Sequence, residues 1–551
     1  MSAHEQDRSL DLFQSDISIT LPALPGTHWS ETLGNQVIPQ TSQATEIKDA
    51  INGIELALAD VERYKNHVQH KLDQLDLHRA KLAAFAFEHK SFVAPIRSLP
   101  NDLLSEIFEW SCPLLHKVHD FPVTLALVSR RWKAVALATP AIWANITIGG
   151  YYAGRRLRKG SGLQCKMWLN RSAHKPLSVS IIDPQHKDVP EQLISECTRW
   201  EYFHCSIGSS KLIQQFCRIQ GHLPLLRSLV LQAEIGVVDL EVFEIAPQLR
   251  EVVIRSWRHE RLKLPYHQLT RLCVVHGLPP AKWVEYLRLC PNLITFEAEM
   301  GSSATTTFSP GPYFTHGCLR VLKLYGGALY CRAWDEHSPM VRVVLPALQI
   351  LDLHDDGTMG YSHVGSTQPA VDMVSRSGCV ITTLRWSSQI EQDPIIDHLH
   401  AFPHLRNLDI SLDVGWIPPF LERLTSQNPC ASLETLDIFV AGKLAFHEKK
   451  ARASQHPQPP LSGSWLDSQA LVIFLQARRA GPHCLRRIRI SDSQCGSFEE
   501  LCGHPEPPEI QTLRDEGMVV AFGLKEVSKE HWDRGRPYTS CRKFTGRGVK
   551  V

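Results

Sequence analysis

Asp352, His354, Asp355 and Asp356 form the densest cluster of acidic and imidazole side chains in this sequence. Carboxylates and imidazoles are hard and borderline metal ligands. Here they follow the apolar pattern Leu351 to Leu353 directly, and the spacing reads as a polar turn after a strand. Cys495, Cys502 and His504 are zinc-ligand types, but the pair that would complete a tetrahedral site is missing, and 503–508 reads as turn. Arg155, Arg156, Arg158 and Lys159 form a short basic run suited to phosphate contact or nuclear import, and equally to a solvated loop. No H-E-x-x-H, G-x-S-x-G or G-x-x-x-x-G-K-[ST] occurs. Ala441-Gly442-Lys443-Leu444 lacks both a glycine-rich loop and a hydroxyl for magnesium. No catalytic residue, no metal site and no cofactor is expected, and the chain does not read as an enzyme.

The elements around these residues belong to an ordinary globular composition. The chain has 551 residues, 43% hydrophobic and 21% charged, with a formal net charge of +2. A whole-molecule field for steering onto nucleic acid or an anionic membrane is not expected. No run approaches the ~18 apolar residues of a membrane span. The polar start, with Glu5, Asp7, Asp11 and Asp16, is not a signal peptide. The 15 cysteines are scattered singly, without a C-x-x-C, which fits reduced thiols better than a disulfide framework. Cytoplasm or nucleus, or both, is the expected location.

Residues 1–45 are rich in Ser, Thr, Gln and Pro and read as a disordered arm. From Ile47 the pattern changes. Ile47, Ile54, Val61, Val68, Leu75 and Leu82 recur every seven residues, with Ile51, Leu58 and Leu72 three before the next member. This is an a/d heptad seam, with Lys65 and Arg79 breaking the a series. The spacing predicts one coiled-coil helix over 46–93. Such a helix must bury its stripe on something. A second copy of the chain, the rest of its own chain and another partner are the alternatives. A leucine-zipper DNA reader is excluded, because 33–46 contains no Lys or Arg.

Next comes Leu99-Pro100-Asn-Asp-Leu103-Leu104-Ser-Glu-Ile107-Phe108, with Pro100 opening an amphipathic helix. Leu125 to Ala136 reads as a second helix, stopped by Thr139-Pro140. Leu99-Pro100, Ile107-Phe108 and Val128-Ser-Arg-Arg-Trp132 resemble the F-box, the helical module that docks on the adaptor of SCF-type cullin–RING ubiquitin ligases. The match covers 94–146. Val128 lies 20 residues after Phe108, longer than the common spacing, and Pro113 to Pro122 is read as a lengthened loop. Pro140-Ala-Ile142-Trp143, then Met167-Trp168-Leu169-Asn-Arg-Ser172 and Pro176-Leu-Ser-Val-Ser, resemble the large F-box families of mushroom-forming fungi.

The remainder carries an internal repeat. The template L-x-x-L-x-L, with other apolar residues allowed, begins at Leu226, Leu249, Leu269, Leu293, Leu319, Leu348, Ile381, Leu405, Leu433 and Leu485. The starts are separated by 23, 20, 24, 26, 29, 33, 24, 28 and 52 residues. The last gap is read as one irregular repeat plus a loop. Helix-like stretches such as 281–290 and 418–427 lie between, which predicts strand and helix in alternation, a parallel sheet and a solenoid. The array resembles the divergent leucine-rich repeats found C-terminal to an F-box. The predicted class is α/β: coiled-coil helix, small all-α F-box, a leucine-rich-repeat solenoid over 147–524, and a basic tail over 525–551.

The resemblance implies a non-catalytic substrate-recognition subunit of an SCF-type E3 ligase. Its partners would be the adaptor, through it a cullin, and an unidentified protein substrate. The alternative is an interaction scaffold without ubiquitin transfer. Leu99, Pro100, Leu103, Ile107, Phe108, Val128 and Trp132 would supply the adaptor surface or its immediate core. Strand side chains alternate, so the residue between the last two apolar positions of each template should face outward onto a concave sheet. That row is Val230, Val253, Cys273, Glu297, Lys323, Asp352, Arg385, Asp409, Asp437 and Arg489. It predicts a substrate groove with an apolar end and a mixed-charge end, or simply a solvated face.

Overall fold

A computed structural model of the chain describes residues 41–92, 94–112, 121–148, 151–152, 155–156, 162–181, 191–207, 215–233, 240–256, 262–279, 282–300, 313–325, 339–354, 368–387, 398–412, 416–440, 468–479, 485–492, 498 and 505–522. Residues 1–40 of the expected arm and the tail over 525–551 lie outside the described residues, while 41–45, read as the end of that arm, are already helical. The chain divides into two compact units, Met1–Leu104 and Ser105–Val551.

The first unit is dominated by one helix of 52 residues, Thr41–Phe92. No proline interrupts it, and none of its described side chains is buried. Pro95 starts the short helix Pro95–Ser98, because a residue without an N–H belongs in a first turn. The helix Asn101–Ser111 follows and runs across the boundary between the units.

The second unit opens with two more helices where the sequence predicts one. Phe121–Val128 carries Pro122 in its first turn, so the end of the proposed loop is already helical. Ser129 then leaves the helical region, with φ −160° and ψ 166°, and the helix Arg130–Leu137 restarts behind it. The Ser129 Oγ accepts a hydrogen bond from the Trp132 N–H at 3.1 Å. A serine in this role satisfies an otherwise unpaired donor of the first turn. The break corrects the continuous helix expected over 125–136. Thr139 ends the segment, its Oγ1 donating to the Val135 carbonyl at 2.7 Å. The buried Trp143 Nε1 donates to the Ala136 carbonyl at 2.8 Å.

Among the described residues, fourteen parallel strands then build one sheet in sequential order. All ten template strands are present, from Ser228–Ala233 to Arg487–Asp492. Asn145–Ile148, Leu177–Ile181 and Trp200–Ile207 precede them, and Val519–Phe522 follows. Two of these extra strands carry the template with an aromatic in first place: Trp143-x-x-Ile146-x-Ile148 and Trp200-x-x-Phe203-x-Cys205. All six of those residues are buried. Thr435–Val440 pairs directly with Arg487–Asp492. No strand of the sheet separates them, so the long gap is one repeat with an insertion, not two repeats. The insertion includes the helix Ser468–Arg479.

Seven of the ten template strands begin the same way. The apolar residue that opens the template donates its N–H back three residues, as Leu293 does to Cys290 at 3.1 Å and Leu405 to Phe402 at 3.1 Å. This is the turn that proline favours in Cys290-Pro-Asn-Leu293. His316 takes the carbonyl's place in the next repeat. Its Nδ1 accepts from the Leu319 N–H at 3.2 Å, and its Nε2 donates to the Cys290 carbonyl at 2.9 Å. One residue further, backbone bonds link repeat to repeat: Arg250 N–H to Arg227, Gln349 to Arg320, Arg486 to Glu434, at 2.9, 2.9 and 2.8 Å.

The template's apolar residues form the core, and Leu226, Leu229 and Leu231 are typical in being fully buried. The crossovers include the helices Lys282–Leu289, Gln368–Ser377 and Ile417–Ser426. They lie on this core side, where Trp283 stacks over Phe296 with ring centroids 6.5 Å apart.

Candidate functional site

The row between the core positions runs across the sheet in register. Val230 pairs with Val253, then Cys273, Glu297, Lys323, Asp352, Arg385, Asp409, Asp437 and Arg489. The sequence therefore places these ten residues on one face correctly. Their solvation is another matter. Val230 is 4% exposed and Val253 0%, and with Cys273 and Val275 they form a closed apolar cluster packed by Tyr202. Strands only ~4.8 Å apart stack their side chains on one another, and bulky apolar neighbours shut out water. The expected exposed apolar anchor at Val230 and Val253 is thus corrected: both residues belong to a second core.

The charged half of the row carries ion pairs from Glu297 to Asp437, and Arg489 lies next to Asp437 in register. Lys323 Nζ lies 3.7 Å from the buried Glu297 carboxylate. Arg385 lies 3.5 Å from Asp352 and 3.6 Å from Asp409, one carboxylate on each neighbouring strand. Burial opposes the Arg385 charge, but Asp352 and Asp409 outweigh it and raise the guanidinium pKa. The buried Tyr325 hydroxyl is pushed well up by desolvation and by the Glu297 and Asp352 charges. Asp437 bonds Arg487 at 3.2 Å. Arg487 sits two positions before Arg489 on the same face, and the sequence reading, confined to one residue per strand, missed it. Lys323, Asp352, Arg385, Asp409, Asp437 and Arg489 thus stand together, but as a half-buried ion ladder instead of a solvated groove.

The helices present a second candidate. In the first unit, Leu99 is half-buried while Pro100 and Leu103 are exposed. In the second, Phe108 is 1% exposed and meets the half-buried Trp132 ring at 5.0 Å, so Phe108 is interior and Trp132 covers it. Ile107 and Val128 are 39% and 58% exposed. Trp110 and Leu127 are also exposed, and the sequence reading passed over both.

The buried thiols are not activated as nucleophiles. Burial pushes the Cys165 and Cys430 thiols up to about 11 and Cys290 up to about 12, and it raises Cys205 as well. Such thiols stay protonated and unreactive near neutrality. Among the described residues no group of three His, Cys, Asp or Glu is placed to hold a metal ion. Asp352 serves the ion ladder, while Asp355, Asp356, Cys495, Cys502 and His504 lie outside the described residues. Arg155–Arg156 pairs antiparallel with Tyr151–Tyr152, and Arg158 and Lys159 are also outside.

No family model matches the chain, and no curated protein matches it. What the fold defines is a class: N-terminal helices followed by a long sheet of parallel strands with interspersed helices, an α/β solenoid-like architecture.

Proposed function

We propose that the chain is the substrate-recognition subunit of an SCF-type cullin–RING E3 ubiquitin ligase, with an F-box followed by divergent leucine-rich repeats. One observation carries the reading. Phe108 is buried against the half-buried Trp132 in a small helical module, while Ile107, Leu127 and Val128 stay in solvent. Apolar bulk left outside so small a module is what a protein partner covers. The adaptor, and through it a cullin, is that partner.

The sequential parallel sheet, with the same opening turn at seven of the ten template strands, supports the repeat reading. The chain performs no chemistry in this role. It holds a protein substrate near a charged ubiquitin carrier, so the gain is effective concentration and orientation. It works in the cytoplasm or the nucleus. Val230 and Val253 take no part in substrate capture. The half-exposed members of the ion ladder, Lys323, Arg385, Asp409, Asp437 and Arg489, remain its polar candidates.

Purification of the full chain from cells, with its endogenous partners, tests the reading. Adaptor and cullin together are expected. Adaptor without cullin, reproducibly, replaces the ligase with the scaffold. Neither one overturns both.

A further inference from the structure

The long helix Thr41–Phe92 leaves its heptad seam open. The d positions Ile47, Ile54, Val61, Val68, Leu75 and Leu82, and the a positions Ile51, Leu58 and Leu72, are all exposed or half-exposed. An isolated stripe of this length has no reason to stay in water. The two remaining a positions are cationic, and each is already provided for. Lys65 Nζ lies 3.1 Å from Glu62 and Arg79 lies 3.3 Å from Asp76, both at i−3 on the e flank. The charges are turned sideways out of the seam by carboxylates of their own helix.

From this geometry we infer that the helix forms a parallel, in-register, two-stranded coiled coil with a second copy of this chain. The flanks choose the orientation. The e positions Glu55, Glu62 and Asp76 are acidic, and the g positions include Lys71. In a parallel pair g faces the e position five residues on, so Lys71 meets Asp76 of the second copy, twice per dimer. An antiparallel pair that keeps the apolar layers in contact sets e against e, and Glu55 then faces Asp76 of the second copy. Two strands are selected over three or four because Lys65 and Arg79 can reach the flank only from the partly open a layer of a dimer.

Sedimentation of the full-length chain tests this directly. A species of twice the monomer mass is expected. Ile54→Asp with Leu75→Asp should return it to monomer with the melting of the sheet unit unchanged. Orientation is read by charge reversal on the surface, where folding is not at stake. Lys71→Glu should weaken the dimer about tenfold at low salt, since two attractive pairs become repulsive. Asp76→Lys should weaken it as well. A monomer at all concentrations, a trimer or tetramer, or a dimer indifferent to the seam variants overturns the proposal. So does a dimer tightened by Asp76→Lys, the signature of antiparallel pairing through Glu55.

Discussion

Arg385 Nη1 sits 3.5 Å from Asp352 Oδ2, one strand away in the sheet and 33 positions away in the chain. On its other side Arg385 meets Asp409. The cation is therefore shared by two carboxylates on a face where neighbouring strands screen it from water. Salt weakens such a pair far less than a free surface pair.

Removing the shared cation should be costly. Arg385→Met leaves the buried Asp352 carboxylate uncompensated beside an apolar stem, and about 2 kcal/mol or more of stability should be lost. Asp409→Asn keeps a hydrogen-bonding group and should cost less. On a fully solvated sheet face, reversing Asp409 and Asp437 together would be nearly free of folding cost. With Arg385 and Arg487 as their bonded partners, it should instead lower the urea midpoint clearly. A midpoint unchanged by Arg385→Met would mean that the ladder contributes nothing to stability.

The row itself was legible because strand periodicity is two and the template fixes which residue faces which side. Its environment was not, since burial depends on how closely strands stack and what their neighbours are. Val253 illustrates the point: one residue from Val252 and Ile254, it points to the opposite face and is still fully buried. The strands Asn145–Ile148 and Trp200–Ile207 were overlooked because Trp143 and Trp200 stand where leucine was sought. The break at Ser129 was legible in principle, as a serine three residues ahead of Trp132, but the apolar run on either side masked it.

The buried thiols make stability fall in alkali. Cys165, Cys290 and Cys430 have folded-state values of about 11, 12 and 11, above that of an unfolded thiol. A raised pKa contributes stability that is complete below the unfolded value and is lost as pH climbs to the folded one. The window is therefore about pH 9 to 12. By pH 10 each thiol should cost about 1 kcal/mol. Thermal melts of the full chain at pH 7.5 and pH 10 check the sign. Cys290→Ala with Cys430→Ala should flatten the slope, and an equally steep slope in that variant would rule these thiols out as its cause.

Ser129 sets where the last helix of the module begins. Ser129→Ala removes the acceptor of the Trp132 N–H and should cost about 1 kcal/mol. Ser129→Asp should restore the cap, because its carboxylate accepts from the same N–H and favours the helix N-terminus. Denaturant midpoints for the three proteins, in the order Ala below Ser and Asp level with Ser, are the expected result. Equal midpoints for Ala and Ser would show that the break is set by the flanking packing alone.

Docking and folding can be separated within the helical module, because its apolar residues divide into two exposure classes. Val128 is exposed and Phe108 is not. Val128→Asp should leave the melting temperature within about 0.5 kcal/mol of the parent in free-energy terms, as surface changes do, while adaptor co-purification is lost. Leu99→Ala with Pro100→Ala should lose the adaptor in the same way. Phe108→Ala empties a closed site against Trp132 and should cost ~3–5 kcal/mol, so adaptor loss in that variant carries no information about docking. The informative comparison is Val128→Asp against Thr124→Asp, an exposed residue one turn earlier on the same helix. Adaptor binding retained by Thr124→Asp and lost in Val128→Asp places the contact at the end of Phe121–Val128. Full binding by the folded Val128→Asp protein would remove this residue from the adaptor surface. If Leu99→Ala with Pro100→Ala also bound fully, the F-box reading of the module would fall with it.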